Sequence, residues 1–226
     1  MGRVIILEET TKNPITLIGK RAGVCYGADV DDDKKNYERG LDCILSGHGR
    51  TLEYVNIEVV LEGYSARVMR EWYTHIGCLP SRLQASTRYI NYKNFSYVTP
   101  PIIERSVCAK TIYDQTMSNI SSAIEMLEGL GIPKEDLAML LPLGMETKEV
   151  DKRNLRNIVD MSRNRMCTRA YWEFRELFSE FIKELNAYSD EWKTLSPLLF
   201  MPKCEVLGYC PEKKSCGRKP KKENVE

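Results

Sequence analysis

The chain lacks any long apolar run. No stretch of its 226 residues approaches the roughly 20 that a membrane-crossing helix needs, which argues against a bilayer-spanning protein. Charge of one sign is missing too. Its 33 Lys and Arg offset 32 Asp and Glu for a net charge of +1, so no global field draws it to nucleic acid or anionic lipid. Histidine is scarce, with only His48 and His75, which disfavours a histidine-built metal centre. No internal repeat is present. The opening Met1-Gly2-Arg3-Val4-Ile5-Ile6-Leu7-Glu8 turns acidic too soon for a secretory leader, so a cytoplasmic protein is expected.

A mass of 26.0 kDa supports one domain of good size with a tail. The expected division is residues 1–200 for the domain and 201–226 for a Cys/Lys-rich tail. Five of the eight cysteines are scattered (Cys25, Cys43, Cys78, Cys108 and Cys167). In a reducing compartment such residues usually serve as small buried side chains. Cys204, Cys210 and Cys216 recur in the tail, but three sulfurs fall short of a zinc shell, so no metal site is expected. The run Lys213 to Lys222 is read as a solvated basic face.

Periodicity indicates an α+β protein: an antiparallel or mixed sheet packed with helices, and a helical C-terminal half. Residues 3–8 and 15–19 read as strands, and Asp31-Asp32-Asp33 opens a helix that stops near Ser46-Gly47. Val55 to Leu61 alternates as a strand, Tyr64 to His75 looks helical, and Phe95 to Val98 is extended. Helices are expected at 103–129, 134–140, 151–166 and 169–188, with breaks at Gly131-Ile132-Pro133 and Leu141-Pro142-Leu143-Gly144.

The most informative stretch is Pro80-Ser81-Arg82-Leu83-Gln84-Ala85-Ser86-Thr87-Arg88-Tyr89. It offers guanidinium forks, hydroxyls and an aromatic ring, groups suited to a nucleotide. Further along come Leu141-Pro142-Leu143, Thr147-Lys148, Asn154, Arg156, Arg165 and Ala170-Tyr171-Trp172-Glu173; upstream lie Ser46-Gly47-His48 and Glu53. Asn154, Ile158, Met161 and Arg165 form one helical stripe, an apolar face with polar ends. Bland readings stand beside each. Arg165 suits a salt bridge to Glu173 or Glu176, Arg156 suits an i,i+4 pair with Asp160, His48 suits a structural histidine, and Glu53 suits an exposed strand-start carboxylate.

In order and interval, these motifs resemble the flavin-dependent thymidylate synthases over residues 15 to 185. The family pattern runs Ser-Gly-His and Glu, then Arg-His-Arg-x-x-Ser leading into Ser-x-Arg-Tyr. Leu-Pro-Leu, Thr-Arg and Asn-x-Arg follow, then an Arg seven residues before the Trp of Ala-Gln-Trp-Glu. The intervals from Thr147 to Asn154, Asn154 to Arg165 and Arg165 to Trp172 match. Counting back from Ser86, the Arg-His-Arg triplet falls on Ile76-Gly77-Cys78 and is absent, while Ser81 keeps its Ser and Gln84 replaces a Glu. Arg70, His75 or Arg82 are candidates for the missing cation.

The resemblance implies a thymidylate synthase-complementing-protein-like fold and reductive methylation of dUMP to dTMP. It implies FAD as cofactor, with NADPH and methylenetetrahydrofolate as co-substrates, in a homotetramer whose active sites lie between subunits. Gln84, Ser86, Arg88, Lys148 and Arg165 would then hold dUMP, with Arg165 catalytic through the ionised pyrimidine. His48, Arg50, Ser81, Asn154, Arg156 and Asp160 would hold FAD. Two alternatives remain: a pyrimidine nucleotide hydroxymethylase on the same fold, or a non-catalytic nucleotide-binding or nucleic-acid-associated protein.

Overall fold

Asn13 and Pro14 start a helix where the alternation Ile15-Thr16-Leu17-Ile18 suggests a strand. A computed structural model describes residues 2–224, and in it α1 spans Pro14–Cys25 with the proline in its first turn. The carboxylate of Glu191 accepts from the amides of Ile15 and Thr16 at 2.7 and 3.0 Å and from the Thr16 hydroxyl at 2.5 Å, satisfying donors that a helix start leaves open. Ile15, Ile18 and Ala22 are buried, a +3, +4 spacing that belongs to a helix. Helix α2, Asp33–Leu45, begins with Asp32 accepting from the Lys35 amide at 3.1 Å, near the start expected from the acidic cluster.

These two helices cross on glycine. A Cβ on Gly19 would lie 1.7 Å from the Asn36 carbonyl oxygen, and one on Gly40 would lie 2.0 Å from that of Ile15. Backbone therefore meets backbone with no space for a side chain.

The remaining elements follow in order: β1 (Arg3–Ile6), β2 (Asn56–Ser65), α3 (Ala66–Trp72), β3 (Ser81–Gln84), α4 (Pro101–Glu104), α5 (Val107–Gly129), α6 (Lys134–Leu137), β4 (Glu146–Asn154), α7 (Leu155–Arg165), α8 (Trp172–Tyr188), α9 (Asp190–Leu199) and α10 (Lys203–Leu207). The small antiparallel sheet has the order β1-β2-β4-β3, so the α+β expectation holds. Two compact units divide the chain. One comprises the residues up to Arg3 with Leu61–Tyr73 and Leu83–Val150; the other comprises Val4–Val60, Thr74–Arg82 and the chain from Asp151 onward.

In the first unit, Val68, Met69 and Trp72 of α3 are fully buried, and Met117 and Ile124 are the buried residues of α5. In the second, the α8–α9 pair carries the aromatic core. Phe174, Phe178, Phe181 and Trp192 are inaccessible, with Phe178 stacked 5.8 Å from Phe181 and edge-on to Phe200 at 6.1 Å.

Several boundaries differ from those read in the sequence. Residues 151–154 belong to β4, so the expected helix starts later, at Leu155. Its strand face is unusual: Thr147, Glu149, Asp151 and Arg153 point inward, which hides the period-2 signal because the buried face is polar. β2 continues to Ser65 and leaves α3 short, with Ser65 accepting from the Val68 amide at 3.2 Å as its cap. Helix α9 runs through Pro197, because Trp192, Leu195 and Leu199 bury one face and the Trp192 indole donates to the Thr11 carbonyl at 2.8 Å.

Gly40→Ala is expected to destabilise the protein by about 1–3 kcal/mol or more, although alanine is the better helix former, because the backbone contact must open. Gly129→Ala, where nothing lies within 4 Å of the added carbon, should be neutral or stabilising by up to about 1 kcal/mol. Urea unfolding of both variants checks the contrast.

Candidate active site

The second unit is organised around a charge pair without solvent. Arg153 and Asp151, at 1% and 0% side-chain exposure, form a fork: Nε to Oδ1 at 2.5 Å and Nη2 to Oδ2 at 2.6 Å. A lone ion there would cost several kcal/mol, and the bidentate geometry offsets it. The remaining guanidinium nitrogen Nη1 donates to Asn157 Oδ1 at 2.6 Å and to the His75 carbonyl at 3.3 Å. Asn157 Nδ2 in turn donates to the carbonyls of Gly77 at 2.6 Å and His75 at 3.3 Å. Residues 75–77 are thus held by the side chains of β4 and α7.

His75 presents its ring to Arg165. Arg165 Nε donates to His75 Nε2 at 2.9 Å, Nη2 meets the Thr74 hydroxyl at 3.5 Å, and the guanidinium lies 4.6 Å from the centre of the Phe174 ring. Phe174 also meets His75 edge-on at 6.0 Å. Because arginine is always a donor, the Nε2 atom is an unprotonated acceptor and the imidazole proton sits on Nδ1. Burial first, then the charges of Arg165 and Arg153, push the His75 pKa down to about 4 from 6.5.

Cys78 and Leu79 have φ of 58° and 50°, the left-handed region that non-glycine residues rarely enter, and make a turn just before Ser81. Of the three candidate replacement cations, His75 is uncharged at neutral pH, and arginine chemistry reaches it from Arg153 and Arg165. The spacing alone gave no sign of Asp151, Arg153 or Asn157. The one available signal was the run of polar residues alternating along β4.

A second group in this unit surrounds His48, which precedes a 3₁₀ turn over Gly49–Tyr54. One cavity of about 300 Å³ is lined by His48, Leu52, Arg156, Asp160 and Arg163, and another of about 430 Å³ by Arg21, Tyr26, His48, Arg50 and Tyr54. His48, Arg50, Arg156 and Asp160 are therefore brought together as the sequence suggested. Arg156 donates to Glu53 at 2.8 Å, so the expected partnership with Asp160 gives way to this longer-range one. Glu53 is exposed but belongs to the 3₁₀ turn, not a strand start. Asn154 caps α7, accepting from the Asn157 amide at 3.0 Å, and Ser81 is exposed at the start of β3. Four arginines around paired cavities with tyrosine rings fit a long ligand carrying a diphosphate and flat rings.

The first unit holds the Ser-x-Arg-Tyr group. Ser86 Oγ accepts from the Arg88 amide at 3.2 Å, a local turn, and Arg88 pairs with Glu135 at 3.2 Å while its guanidinium lies 5.6 Å from the Tyr89 ring centre. Gln84 donates to the Thr147 hydroxyl at 3.3 Å, and the Ala85 amide donates to the Lys148 carbonyl at 2.8 Å. Lys148 pairs with Glu62 at 3.2 Å; Arg3 and Lys148, both bonded to that carboxylate, hold its pKa below the usual value. Gln84 and Lys148 are thus brought near one another by strand pairing, and Ser86 and Arg88 share one turn.

Comparison with known proteins places the whole arrangement. A profile of the family described as thymidylate synthase complementing protein matches residues 6–188. A flavin-dependent thymidylate synthase of Clostridium tetani is 30% identical, over 96% of this chain and 94% of the relative. One from Nitratidesulfovibrio vulgaris is 32% identical over 80% and 75%. The crystal structure of a Helicobacter pylori flavin-dependent thymidylate synthase complexed with FAD and dUMP superposes with a TM-score of 0.67 at 16% identity, covering 85% of this chain and 98% of that one, a likeness of fold.

Arg153→Met is expected to strand Asp151 and cost about 3–5 kcal/mol, with much of it restored in the Asp151→Asn/Arg153→Met pair; urea unfolding measures both. His75 gives a pH signature. Its folded pKa lies below the unfolded one, so stability is complete above about 6.5 and falls as pH drops towards about 4, while the unfolded chain takes up the proton that the folded chain refuses. With two histidines to assign, an NMR titration should show His75 titrating near 4. A midpoint near 6.5 would refute the assignment.

Proposed function

The chain belongs to the thymidylate synthase complementing protein family, and from that premise we propose how its residues divide the work. The protein is a flavin-dependent thymidylate synthase: it converts dUMP to dTMP by reductive methylation, using FAD, with methylenetetrahydrofolate as carbon donor and NADPH as reductant. The observation that carries the assignment of roles is Arg165, fixed by His75, Thr74 and Phe174.

Methylation requires electron density at C5 of the uracil ring. Negative charge that develops over N3 and the flanking carbonyls supplies it, and a guanidinium held beside those atoms stabilises that charge without having to reorganise. A preorganised donor of this kind is worth about 3–4 kcal/mol, or roughly 10²–10³ in rate. Arg165 is the group placed for this role. Neutral His75 fixes Nε, and Phe174 beneath the plane resists rotation. Ser86 and Arg88 bind the nucleotide phosphate, with Gln84 and Lys148 beside them. The Arg88–Glu135 and Lys148–Glu62 pairs are open to solvent and contribute little to folding, so a phosphate displaces the carboxylate at little cost.

His48, Arg50 and Arg156 hold the flavin diphosphate and rings, with Ser81, Asn154 and Asp160 completing the contacts. When bound, the flavin supplies the reducing hydride. No cysteine nucleophile takes part, and Cys78, exposed on the left-handed turn, has no such role.

We place the enzyme in the cytoplasm, with its nucleotide and folate substrates, and as a homotetramer. Support for assembly comes from α5, where Val107, Ile112 and Met126 are 85, 64 and 66% exposed; so much accessible apolar surface on one long helix suits a subunit interface. Light scattering should report four chains, and Ile112→Glu should shift the particle to smaller species.

The function is tested by tritium release from C5-labelled dUMP and by mass spectrometry of the product, which distinguishes a methyl from a hydroxymethyl group. Arg165→Ala should lower turnover by about 10²–10³ with flavin content retained. Arg165→Lys should recover little, since a point charge lacks the plane that His75 and Phe174 fix. Turnover unchanged in Arg165→Ala removes the residue from its role.

A further inference from the structure

A cavity of about 250 Å³ in the second unit carries Arg165 on its wall, so it adjoins the group assigned to the uracil ring. The wall adds Arg163 of α7, Lys203 of α10, and Lys214 and Arg218 of the tail. Its one carboxylate among the described residues, Glu212, is already paired with Arg169 at 2.6 Å. This wall is strongly positive. Resting on the reading of the protein as a folate-dependent synthase, we propose that Arg163, Lys203 and Lys214 form an anion subsite of the catalytic cavity, which takes the glutamate carboxylates of the folate co-substrate.

Arg163 is held at a cost. Its Nη1 is shut off from solvent and has no hydrogen-bond partner among the described residues. Burial disfavours the charge of the guanidinium, and only Asp160 works in its favour. A buried donor without an acceptor is expensive, and a carboxylate oxygen is the strongest acceptor a ligand can bring to it. Arg163 also lines the cavity of His48 and Arg156, so one guanidinium belongs to both the flavin cavity and the tail cavity. Lys203 and Lys214 form no ion pair among the described residues, whereas Lys219 of the same wall is committed to Glu205 at 2.9 Å.

Backbone contacts tie the tail to this wall. The Cys210 amide donates to the Pro220 carbonyl at 2.7 Å, and Arg218 donates at 3.4 Å to the carbonyl of Met166, which ends α7. The tail lies beyond residues 6–188 that the family profile matches, so family membership does not assign it a role. Distribution of charge selects the ligand. The three cations come from α7, α10 and the tail loop, on long flexible stems. A phosphate concentrates its charge at one point, whereas a glutamate chain offers separated carboxylates that spaced cations meet one by one. The pterin end of the folate carries the carbon that must reach the uracil ring near Arg165. Its glutamate end is the charged extension that an adjoining basic cavity accommodates. Each such contact is weak alone, so the gain grows with the number of glutamates.

The test compares methylenetetrahydrofolate bearing one glutamate with the form bearing five, on the flavin-loaded full chain. At low ionic strength the KM of the longer form should be about tenfold lower, and the advantage should shrink as salt screens it. Lys203→Glu combined with Lys214→Glu should bring the two KM values together, and Arg163→Gln should narrow the gap between them. Lys193→Glu, on α9 and outside the cavity, should keep the wild-type ratio. Should a variant fail to fold, the wild-type comparison and its salt dependence decide the matter. Equal KM values for the two forms in wild type overturn the proposal, as does a charge-reversed variant that keeps the full advantage. A rise confined to the KM of NADPH or of dUMP overturns it too, since the wall then binds phosphate. Calorimetry with folate bearing one or five glutamates reads the subsite without turnover. Tighter binding of the longer form by protein that makes no dTMP sinks the synthase reading alone; normal turnover with equal affinities sinks the subsite alone.

Discussion

Asp151 and Arg153 meet with almost no access to water, and the orientation of Arg165 depends on that fork. Two of the guanidinium nitrogens are spent on the carboxylate, and the third reaches Asn157 and the backbone of His75. Asn157 extends the network to Gly77. Neither charge is tolerable alone at that depth, so the pair exists as a unit or not at all. The segment carrying His75 inherits this definiteness. A ring whose backbone is pinned from below can present one nitrogen to Arg165 in a fixed direction, and the low pKa keeps that nitrogen an acceptor over the physiological range. Electrostatics in the interior thus sets geometry at the site.

Three outer cations follow the opposite rule. Arg88, Lys148 and Arg156 all reach carboxylates, but their side chains are 65, 57 and 44% exposed. Pairs in water contribute little to folding, so these cations can exchange partners at little cost. Buried charge serves as framework and exposed charge as exchangeable contact. That separation explains why the inner face of β4 can afford four polar residues in a row while stability rests on the aromatic core of α8 and α9.

Sequence patterns revealed one part of this and concealed another. Helices α2, α5 and α8 were legible from start signals and 3.6-residue periodicity: Asp32 caps α2, Ser106 caps α5, and Glu173 lies in the first turn of α8. Ile15 to Ile18 misled because a strand-like tetrapeptide was outvoted by Pro14, by Glu191 arriving from far along the chain, and by the glycine contact with α2. Asp151 to Asn154 misled in reverse, since a strand that buries Asp151 and Arg153 shows no apolar alternation. The company of His48, Arg50, Arg156 and Asp160 was legible in the sequence, since these residues line adjoining cavities. The left-handed turn at Cys78 and Leu79 had no signal in the residue types.

Around residues 74–77 positive charge arrives from two other elements, Arg153 on β4 and Arg165 on α7. The chemistry of a uracil ring asks for positive charge at a fixed place, without regard to which backbone supplies it. A guanidinium on a helix, with an imidazole at its Nε and a phenyl ring against it, has few alternative rotamers. A charge held in that way does not have to reorganise as negative charge develops beside it.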